Sequence, residues 1–172
     1  MRKIILVGYM GSGKSTIAGL LHKMTEIKTV DLDTQIEQYS QSTISNIFNE
    51  KGEIYFRKLE HTIFSELMNS TDDLILSLGG GTPCYANNHK LLNGENIVSF
   101  YLKASIETLS ERLASNNVSR PLIAGKNLEE MKDFIAKNLF ERSYYYHQAT
   151  YTVKTDNKTP EIIASEIGML LA

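Results

Sequence analysis

The sequence predicts an α/β fold, a three-layer sandwich in which a central, mainly five-stranded parallel sheet lies between layers of helices. Short apolar runs rich in β-branched residues recur along the chain, and segments with helical periodicity separate them. Strands that alternate with helices form βαβ units, which build a parallel sheet with helices on both faces. With 172 residues and 42% hydrophobic content, the chain has the size of one compact domain, and we expect a single domain over residues 1–172.

The first predicted strands each run into a loop of polar or flexible residues. Residues 4–7 form an apolar run that stops at Gly8, as a strand buried on both faces does, and helical periodicity follows over residues 14–24. A second strand ends near residues 31–33, where Thr34 begins another helical pattern. The chain therefore opens as a βαβ unit.

The middle of the chain contains a long helical stretch and the third strand. Helical spacing covers residues 43–50 and 54–68, and Gly52 interrupts it. The apolar run 74–78 is the third strand, and it ends in the three glycines 79–81. A glycine run at the end of a strand lets the backbone turn sharply or approach a ligand closely.

The second half of the chain is predicted to complete the sheet. Residues 97–102 are the fourth strand, residues 106–113 form an amphipathic helix, and the periodicity then disappears over residues 114–128. This aperiodic segment contains Ser, Asn, Gly and Pro, and we expect it to be a lid. The remaining elements are a helix over 128–147, a strand over 151–154 and a helix over 160–171.

Composition argues against several classes of function. The formal net charge of −2 disfavours a broad surface for nucleic acid or anionic membranes, so a bound anion is expected to be small. Cys84 is the single cysteine of the chain, which excludes an internal disulfide and a cysteine metal site and suits a reducing cytosol. The apolar runs are too short for a signal peptide or a membrane helix. We therefore expect a cytoplasmic protein without a nucleic-acid or membrane partner.

A glycine-rich loop between the first strand and the first helix predicts a nucleotide site. Its spacing over residues 8–15, Gly-x4-Gly-Lys-Ser, is that of a loop whose backbone amides surround a polyphosphate. Lys14 would supply a cation to the β- and γ-phosphates, and Ser15 a hydroxyl ligand for Mg²⁺, at the positive end of the helix dipole. The predicted ATP-binding residues of this loop are Gly11, Ser12, Gly13, Lys14, Ser15 and Thr16.

This loop predicts a fold of the P-loop NTPase or nucleoside monophosphate kinase type, but it does not identify the phosphate acceptor. A GTP switch would be expected to contain an Asn-Lys-x-Asp motif, and the nearest string, Asn-Lys-Thr-Pro at 157–160, lacks the aspartate. A large mechanical ATPase would need a longer chain. We therefore expect an ATP-dependent phosphotransferase.

Candidate acceptor-binding residues lie where open parallel sheets bind their ligands, beyond the carboxyl ends of the strands. Asp31 and Asp33 end one predicted strand, and the glycines 79–81 end another. Arg57 and Arg142 belong to separate helices that can converge on the same mouth. Two guanidinium groups suit a small carboxylate, because each can donate two parallel hydrogen bonds.

Each of these features also has an ordinary explanation. An aspartate at a strand end is often a helix cap, and Asp33 stands directly before Thr34. Arg57 and Glu60 are three residues apart and can simply pair on a helix surface, which would contribute little. Glycines at a strand end can serve only as a turn. The conjunction of these features with the phosphate loop favours a functional site.

Six motifs, in order along most of the chain, resemble those of the shikimate kinase family. They are Gly-Tyr-Met-Gly-Ser-Gly-Lys-Ser-Thr at 8–16, Asp-Leu-Asp at 31–33, Phe-Arg-x-x-Glu at 56–60, Gly-Gly-Gly at 79–81, Arg-Pro-Leu at 120–122 and Glu-Arg-x-x-x-Tyr at 141–146. The resemblance implies transfer of the γ-phosphoryl group of ATP to the 3-hydroxyl of shikimate, in the pathway to chorismate and the aromatic amino acids. It also implies one kinase domain, with a lid at about 114–128, a substrate-binding segment at about 33–61 and a monomeric state.

The resemblance further implies roles for the matching residues. The phosphate loop holds ATP, and Mg²⁺ is bound by Ser15 and, largely through water, by Asp31. The implied catalytic residues are Lys14, Asp33 and Arg120, the last of them in the lid over the phosphates. The implied shikimate-binding residues are Asp33, Arg57, Gly79, Gly80, Gly81 and Arg142. Arg112 is placed near adenine, although an exposed helix arginine explains it nearly as well.

Two other functions stay open from the sequence. A gluconate kinase of the same architecture also phosphorylates a hydroxylated carboxylate, and the acceptor pocket alone would separate it from a shikimate kinase. A non-catalytic module would bind ATP as a structural ligand, but it would have no clear use for Asp33, Arg57 and Arg142.

Overall fold

The structure, a computed structural model, describes residues 2–115 and 127–172. Within them, five strands form one sheet: β1 Lys3–Val7, β2 Lys28–Asp31, β3 Leu74–Ser77, β4 Ile97–Lys103 and β5 Tyr151–Lys154. Their spatial order is β2-β3-β1-β4-β5, so β1 lies at the centre and β2 and β5 at the edges. The pairings between neighbours are parallel, which confirms the five-stranded parallel sheet predicted from the sequence.

Helices connect these strands and cover both faces of the sheet. The α-helices of the described residues are α1 Lys14–Thr25, α2 Leu32–Ser40, α3 Ile44–Asn69, α4 Ile106–Ser115, α5 Leu128–Tyr146 and α6 Pro160–Leu171. Two short 3-10 turns that the sequence analysis did not predict, Thr82–Cys84 and Asn88–Leu92, follow β3. Within α3, Gly52 has φ 81° and ψ 171°, which is not a helical conformation, so the predicted interruption is confirmed.

Both ends of the predicted lid are helical where the structure describes them. Ala114 and Ser115 continue α4, and Leu128 begins α5. Asn127 caps α5: its side chain accepts from the Glu130 backbone N–H, and the Glu130 side chain accepts from the Asn127 backbone N–H. Residues 116–126, including Arg120, lie outside the described residues.

The central strand β1 divides the apolar interior into two clusters, because its successive side chains point to opposite faces of the sheet. Ile5 and Val7 pack in the cluster formed largely by α2, α3 and the end of α5. Ile4 and Leu6 pack against α1 and α6. All four side chains are 0% exposed, and burial of each stabilises the fold by about 1.5–3 kcal/mol. Helices on both faces of a buried sheet confirm the three-layer architecture.

The parallel arrangement brings the carboxyl ends of the strands to one end of the sheet. There, β1 leads into the glycine-rich loop, β2 ends at Asp31, and β3 leads into the glycine run 79–81. In the two described segments, no helix is both long and apolar enough to cross a membrane.

Candidate active site

The phosphate loop occupies residues 8–13 between β1 and α1, as predicted. Gly13 stands at the start of α1 with φ 98°, a left-handed conformation that favours glycine. The Ser12 side chain is buried, and its Oγ has no hydrogen-bond partner among the described residues. The Lys14 Nζ donates to the carbonyls of Gly8 at 2.8 Å and Tyr9 at 3.1 Å, so the lysine folds back across the loop. A buried hydroxyl and a cation at a helix N-terminus suit a bound polyphosphate.

One cavity of about 630 Å³ extends from this loop to the carboxyl ends of β2 and β3. The predicted residues that line it are Gly11, Ser12, Gly13, Lys14, Ser15, Thr16, Asp31, Asp33, Gly79, Gly80 and Arg112. The structure thus brings both aspartates and part of the glycine run to the phosphate loop. This is the arrangement that transfer between two bound substrates requires.

The two aspartates of β2 and α2 have different local roles. Asp31 ends β2 and caps α2, because its Oδ1 accepts from the Thr34 backbone N–H at 3.1 Å. The alternative in which Asp33 is the cap is therefore wrong. Asp33 lies in the first turn of α2 and faces Gly79, where an added Cβ would lie only 2.9 Å from the Asp33 Oδ1.

The electrostatic surroundings of Asp33 favour its neutral form. Burial and the nearby negative charges of Asp31, Glu60 and Glu37 raise the pKa of the Asp33 carboxyl to about 6, against the opposing charge of Lys14. A carboxyl with a pKa near the working pH of an enzyme can both orient a hydroxyl and take its proton.

The two predicted arginines converge on the glycine run from separate helices. An added Cβ at Gly80 would lie 3.3 Å from Arg142 Nη1, and one at Gly81 would lie 2.9 Å from Arg57 Nη2. Together with the contact between Asp33 and Gly79, each glycine of the run meets one predicted acceptor residue. Side chains at these positions would force those groups to shift, so the glycines leave room for them.

The pairing of Arg57 with Glu60 is part of the protein interior rather than of a helix surface. Glu60 is 1% exposed, and its Oε2 accepts from Arg57 Nη1 at 2.9 Å. Its Oε1 accepts from Thr82 Oγ1 at 2.7 Å. The interpretation as a weak surface pair is therefore wrong, because both oxygens of a buried carboxylate are satisfied and the arginine is anchored by it.

Further groups that the sequence analysis missed hold the arginines in place. The Tyr85 ring centroid lies 3.9 Å from Arg57 Cζ, a cation–π contact on the guanidinium face. Glu53 lies 3.5 Å from Arg57 Nε. On the other side of the site, Arg142 Cζ lies 5.5 Å from the Tyr9 ring centroid. No motif contains Tyr85 or Glu53, and Tyr9 lies in the first motif without a role of its own, since the importance of all three arises from the fold that places them beside an arginine.

Arg112 lies at the nucleotide end of the cavity. Its Nη1 donates to the Gly11 carbonyl at 3.2 Å, so the side chain is attached to the phosphate loop.

Lys158 also lines this cavity without having been predicted, and its Nζ pairs with Glu166 at 2.5 Å. Asp156 connects this region to α4, since it accepts from Thr108 Oγ1 at 2.7 Å.

The oxygen atoms around the loop fit a magnesium ion carried by the nucleotide. The Ser15 hydroxyl and the Asp31 carboxylate line one cavity, and both are oxygen ligands of the kind that Mg²⁺ prefers. Within residues 2–115 and 127–172, no group of three or more His, Cys, Asp or Glu side chains is arranged to hold a metal. With one hydroxyl and one carboxylate from the protein, a Mg²⁺ ion here would take water and phosphate oxygens as its other ligands.

Three kinds of comparison with known proteins point to the same family. The family model described as shikimate kinase matches residues 10–172. A shikimate kinase of Flavobacterium johnsoniae is 56% identical over 172 residues, which are 100% of both chains. The crystal structure of shikimate kinase from Bacteroides thetaiotaomicron has a TM-score of 0.91 at 31% identity, covering 99% of this chain and 98% of that chain. A shikimate kinase from Acinetobacter baumannii in complex with shikimate has a TM-score of 0.86 at 31% identity, covering 99% of this chain and 93% of that chain.

Proposed function

The chain belongs to the shikimate kinase family of ATP-dependent kinases, and from this premise we propose which of its residues hold the substrates and transfer the phosphoryl group. The reaction moves the γ-phosphoryl group of ATP to the 3-hydroxyl of shikimate and gives shikimate 3-phosphate and ADP, in aromatic amino-acid biosynthesis. One observation carries the residue assignment: at each of three consecutive glycines beside the phosphate loop, a side chain suited to a hydroxylated carboxylate lies within 3.3 Å of the position that a Cβ would take.

The phosphate loop and the N-terminus of α1 bind the nucleotide. Backbone amides of residues 11–16 surround the phosphates, and Lys14 turns from the loop carbonyls toward the β- and γ-phosphates. Ser15 and, through water, Asp31 would hold Mg²⁺, which would neutralise phosphate charge when bound with the nucleotide. Arg112, already in contact with Gly11, lies on the adenine side of this site.

The glycine run and its three neighbours bind the acceptor. Arg57 and Arg142 donate to the shikimate carboxylate, since two planar guanidinium groups at one mouth recognise a carboxylate with directional hydrogen bonds. Asp33 accepts from a ring hydroxyl, and the backbone of residues 79–81 lies close to the ring. A site built for these hydrogen bonds discriminates strongly against analogues that lack the hydroxyl groups.

The transfer step depends mainly on positioning and charge. Phosphoryl transfer involves little covalent chemistry by the protein, so Lys14 acts by stabilising the charge on the transferred group. Asp33, with a pKa of about 6, is ionised at neutral pH and takes the proton of the attacking hydroxyl. Arg120 is assigned to the lid over the phosphates by resemblance alone. The single domain and the monomeric state are likewise proposed from the resemblance. The cytoplasmic location is proposed from the single cysteine as well.

The test is an ADP-release assay with purified protein, Mg-ATP and a panel of acceptors: shikimate, gluconate and nucleoside monophosphates. We expect release that depends on shikimate and saturates with it. Release that is independent of shikimate, or that depends instead on gluconate, would contradict the acceptor assignment. A protein that binds ATP but releases no ADP with any acceptor would be the non-catalytic module.

A further inference from the structure

Tyr146 connects two parts of the acceptor site that come from distant parts of the sequence. Its side chain is 0% exposed at the C-terminal end of α5, although it carries a polar hydroxyl. The hydroxyl donates to the Gly80 carbonyl at 2.6 Å. A tyrosine hydroxyl has one proton, so this proton is committed to the glycine run.

Arg142 lies beside the same hydroxyl. Arg142 and Tyr146 are four residues apart on α5, so their side chains lie on one face of the helix. Both reach Gly80: Arg142 Nη1 lies 3.3 Å, and Tyr146 Oη 3.6 Å, from the position that a Gly80 Cβ would take. Burial raises the pKa of the Tyr146 hydroxyl, while the charge of Arg142 and a side-chain hydrogen bond to it act in the opposite direction. Since its proton goes to Gly80, the phenolic oxygen can only accept from the guanidinium.

The ring that carries this hydroxyl is held by the apolar interior. Tyr146 belongs to the cluster between the sheet and α2, α3 and α5. Its ring packs against that of Tyr101 on β4, with centroids 5.0 Å apart and planes inclined by 35°. A ring packed in this way keeps its hydroxyl at one position, so the groups bonded to it are positioned as well.

We propose that Tyr146 is a positioning residue for acceptor binding: its hydroxyl sets the placement of Arg142 relative to the Gly80 backbone. This inference rests on the proposed function, in which Arg142 binds the shikimate carboxylate. Loss of the hydroxyl deprives the Gly80 carbonyl and an Arg142 N–H of their common partner. The guanidinium then samples more orientations, and the carboxylate is bound with a greater entropic cost.

The test compares Tyr146→Phe with the matched variant Tyr101→Phe. Each substitution removes one oxygen atom from a buried tyrosine, and the two rings are in contact. We expect Tyr146→Phe to raise the shikimate KM about tenfold, while the ATP KM and the kcat at saturating shikimate stay within about twofold. Tyr101→Phe should leave the shikimate KM unchanged. An unchanged KM in Tyr146→Phe, or an equal rise in both variants, would overturn the proposal.

A double-mutant cycle with Arg142→Ala separates this inference from the proposed function. If Tyr146 acts through Arg142, adding Tyr146→Phe to Arg142→Ala should raise the shikimate KM no further. Full additivity of the two effects would overturn the inference, because Tyr146 would then act independently of the arginine. If Arg142→Ala itself left the shikimate KM unchanged, the carboxylate assignment would fail, and the inference would fail with it. The ATP KM of each variant shows whether the fold is retained.

Discussion

Thr82 Oγ1 donates a hydrogen bond of 2.7 Å to Glu60 Oε1 behind the acceptor site. The second carboxylate oxygen of Glu60 accepts from Arg57 Nη1 at 2.9 Å, so the carboxylate joins the arginine to the turn that follows the glycine run. Thr82 and Glu60 are 0% and 1% exposed, and water does not compete for these bonds. The position of Arg57 therefore depends on Thr82, which acts through Glu60.

Thr82→Val removes this hydroxyl with little change in shape. The Glu60 oxygen loses its partner in a buried site, which should lower the free energy of unfolding by about 1–3 kcal/mol. The carboxylate is then free to shift with Arg57, so the shikimate KM should rise while the ATP KM stays constant. Steady-state kinetics and urea unfolding check both effects. Thr82→Ser keeps the hydroxyl and should keep the KM; an equal rise in both variants would show that the methyl group, not the hydrogen bond, matters.

Arg57→Ala and Arg142→Ala should each raise the shikimate KM strongly. A hydrogen bond to a charged group contributes about 1.5–3 kcal/mol, which corresponds to a change of roughly ten- to a hundredfold. The ATP KM should stay close to its original value, because both arginines meet the glycine run, and Arg142 meets the phosphate loop at the Tyr9 ring rather than at a residue assigned to ATP. Lys14→Ala is the contrasting variant and should depress turnover instead. Unchanged acceptor kinetics in both arginine variants would refute their role in carboxylate binding.

Most of the fold was predictable from the sequence because it depends on local patterns. The apolar run 74–78 and the alternation over 151–154 each predicted a strand within one residue of its observed end. Helix α6 has the predicted bounds, since Pro160 marks its first turn and Thr159 caps it. The turns after β3 were missed because they have no hydrophobic period of their own. Thr82 and Asn88 are instead held by hydrogen bonds to distant residues and to each other.

The site was predictable only in part, for a related reason. Arg57 and Arg142 stood out as charged residues in motifs, and the structure places both at the glycine run. Spacing alone, however, left a surface pair of Arg57 and Glu60 open, because three-residue spacing is the same on a buried and on an exposed helix face. Tyr146 was quoted within a motif but given no role. Its importance depends on a contact with Gly80, 66 positions away in the chain, which no local pattern encodes.

The raised pKa of Asp33 predicts an unusual dependence of stability on pH. The pKa is about 6 in the folded protein, against an ordinary value of 3.8, because burial and the charges of Asp31 and Glu60 disfavour the carboxylate. The favourable contribution of this group is thus fully present below about pH 4 and is lost as the pH rises through 6. Without nucleotide and Mg²⁺, Asp33→Asn should therefore melt at a higher temperature than the parent above pH 6.

Thermal unfolding between pH 4 and pH 8 checks this prediction. The difference in melting temperature between Asp33→Asn and the parent should shrink as the pH falls toward 4, since the parent carboxyl is then neutral in the folded state and becomes protonated in the unfolded state as well. A difference that is constant over this range would contradict the raised pKa. In kinetics, the parent kcat/KM for shikimate should fall below about pH 6, while Asp33→Asn should be weakly active throughout.

Gly79→Ala should damage the acceptor site through a single methyl group. The added Cβ would lie 2.9 Å from Asp33 Oδ1 and 3.0 Å from Thr82 Oγ1, closer than such atoms can approach without displacement. Asp33 is the group proposed to accept the hydroxyl proton, and Thr82 anchors Glu60, so the clash affects the proton acceptor and the support of Arg57 together. We expect the kcat/KM for shikimate to fall at least tenfold, since overpacking typically costs about 1–3 kcal/mol.

Gly19→Ala is the matched control, since it adds the same methyl group to a glycine of the same domain. Gly19 lies inside α1, and nothing stands within 4 Å of its added Cβ. Alanine is favoured over glycine in a helix by about 0.5–1 kcal/mol, so this variant should be more stable and equally active. Steady-state kinetics and urea unfolding of the two variants measure both effects. If Gly79→Ala retained the parent kcat/KM for shikimate, the acceptor hydroxyl would not depend on the contact between Gly79 and Asp33, and the role assigned to Asp33 would have to be withdrawn.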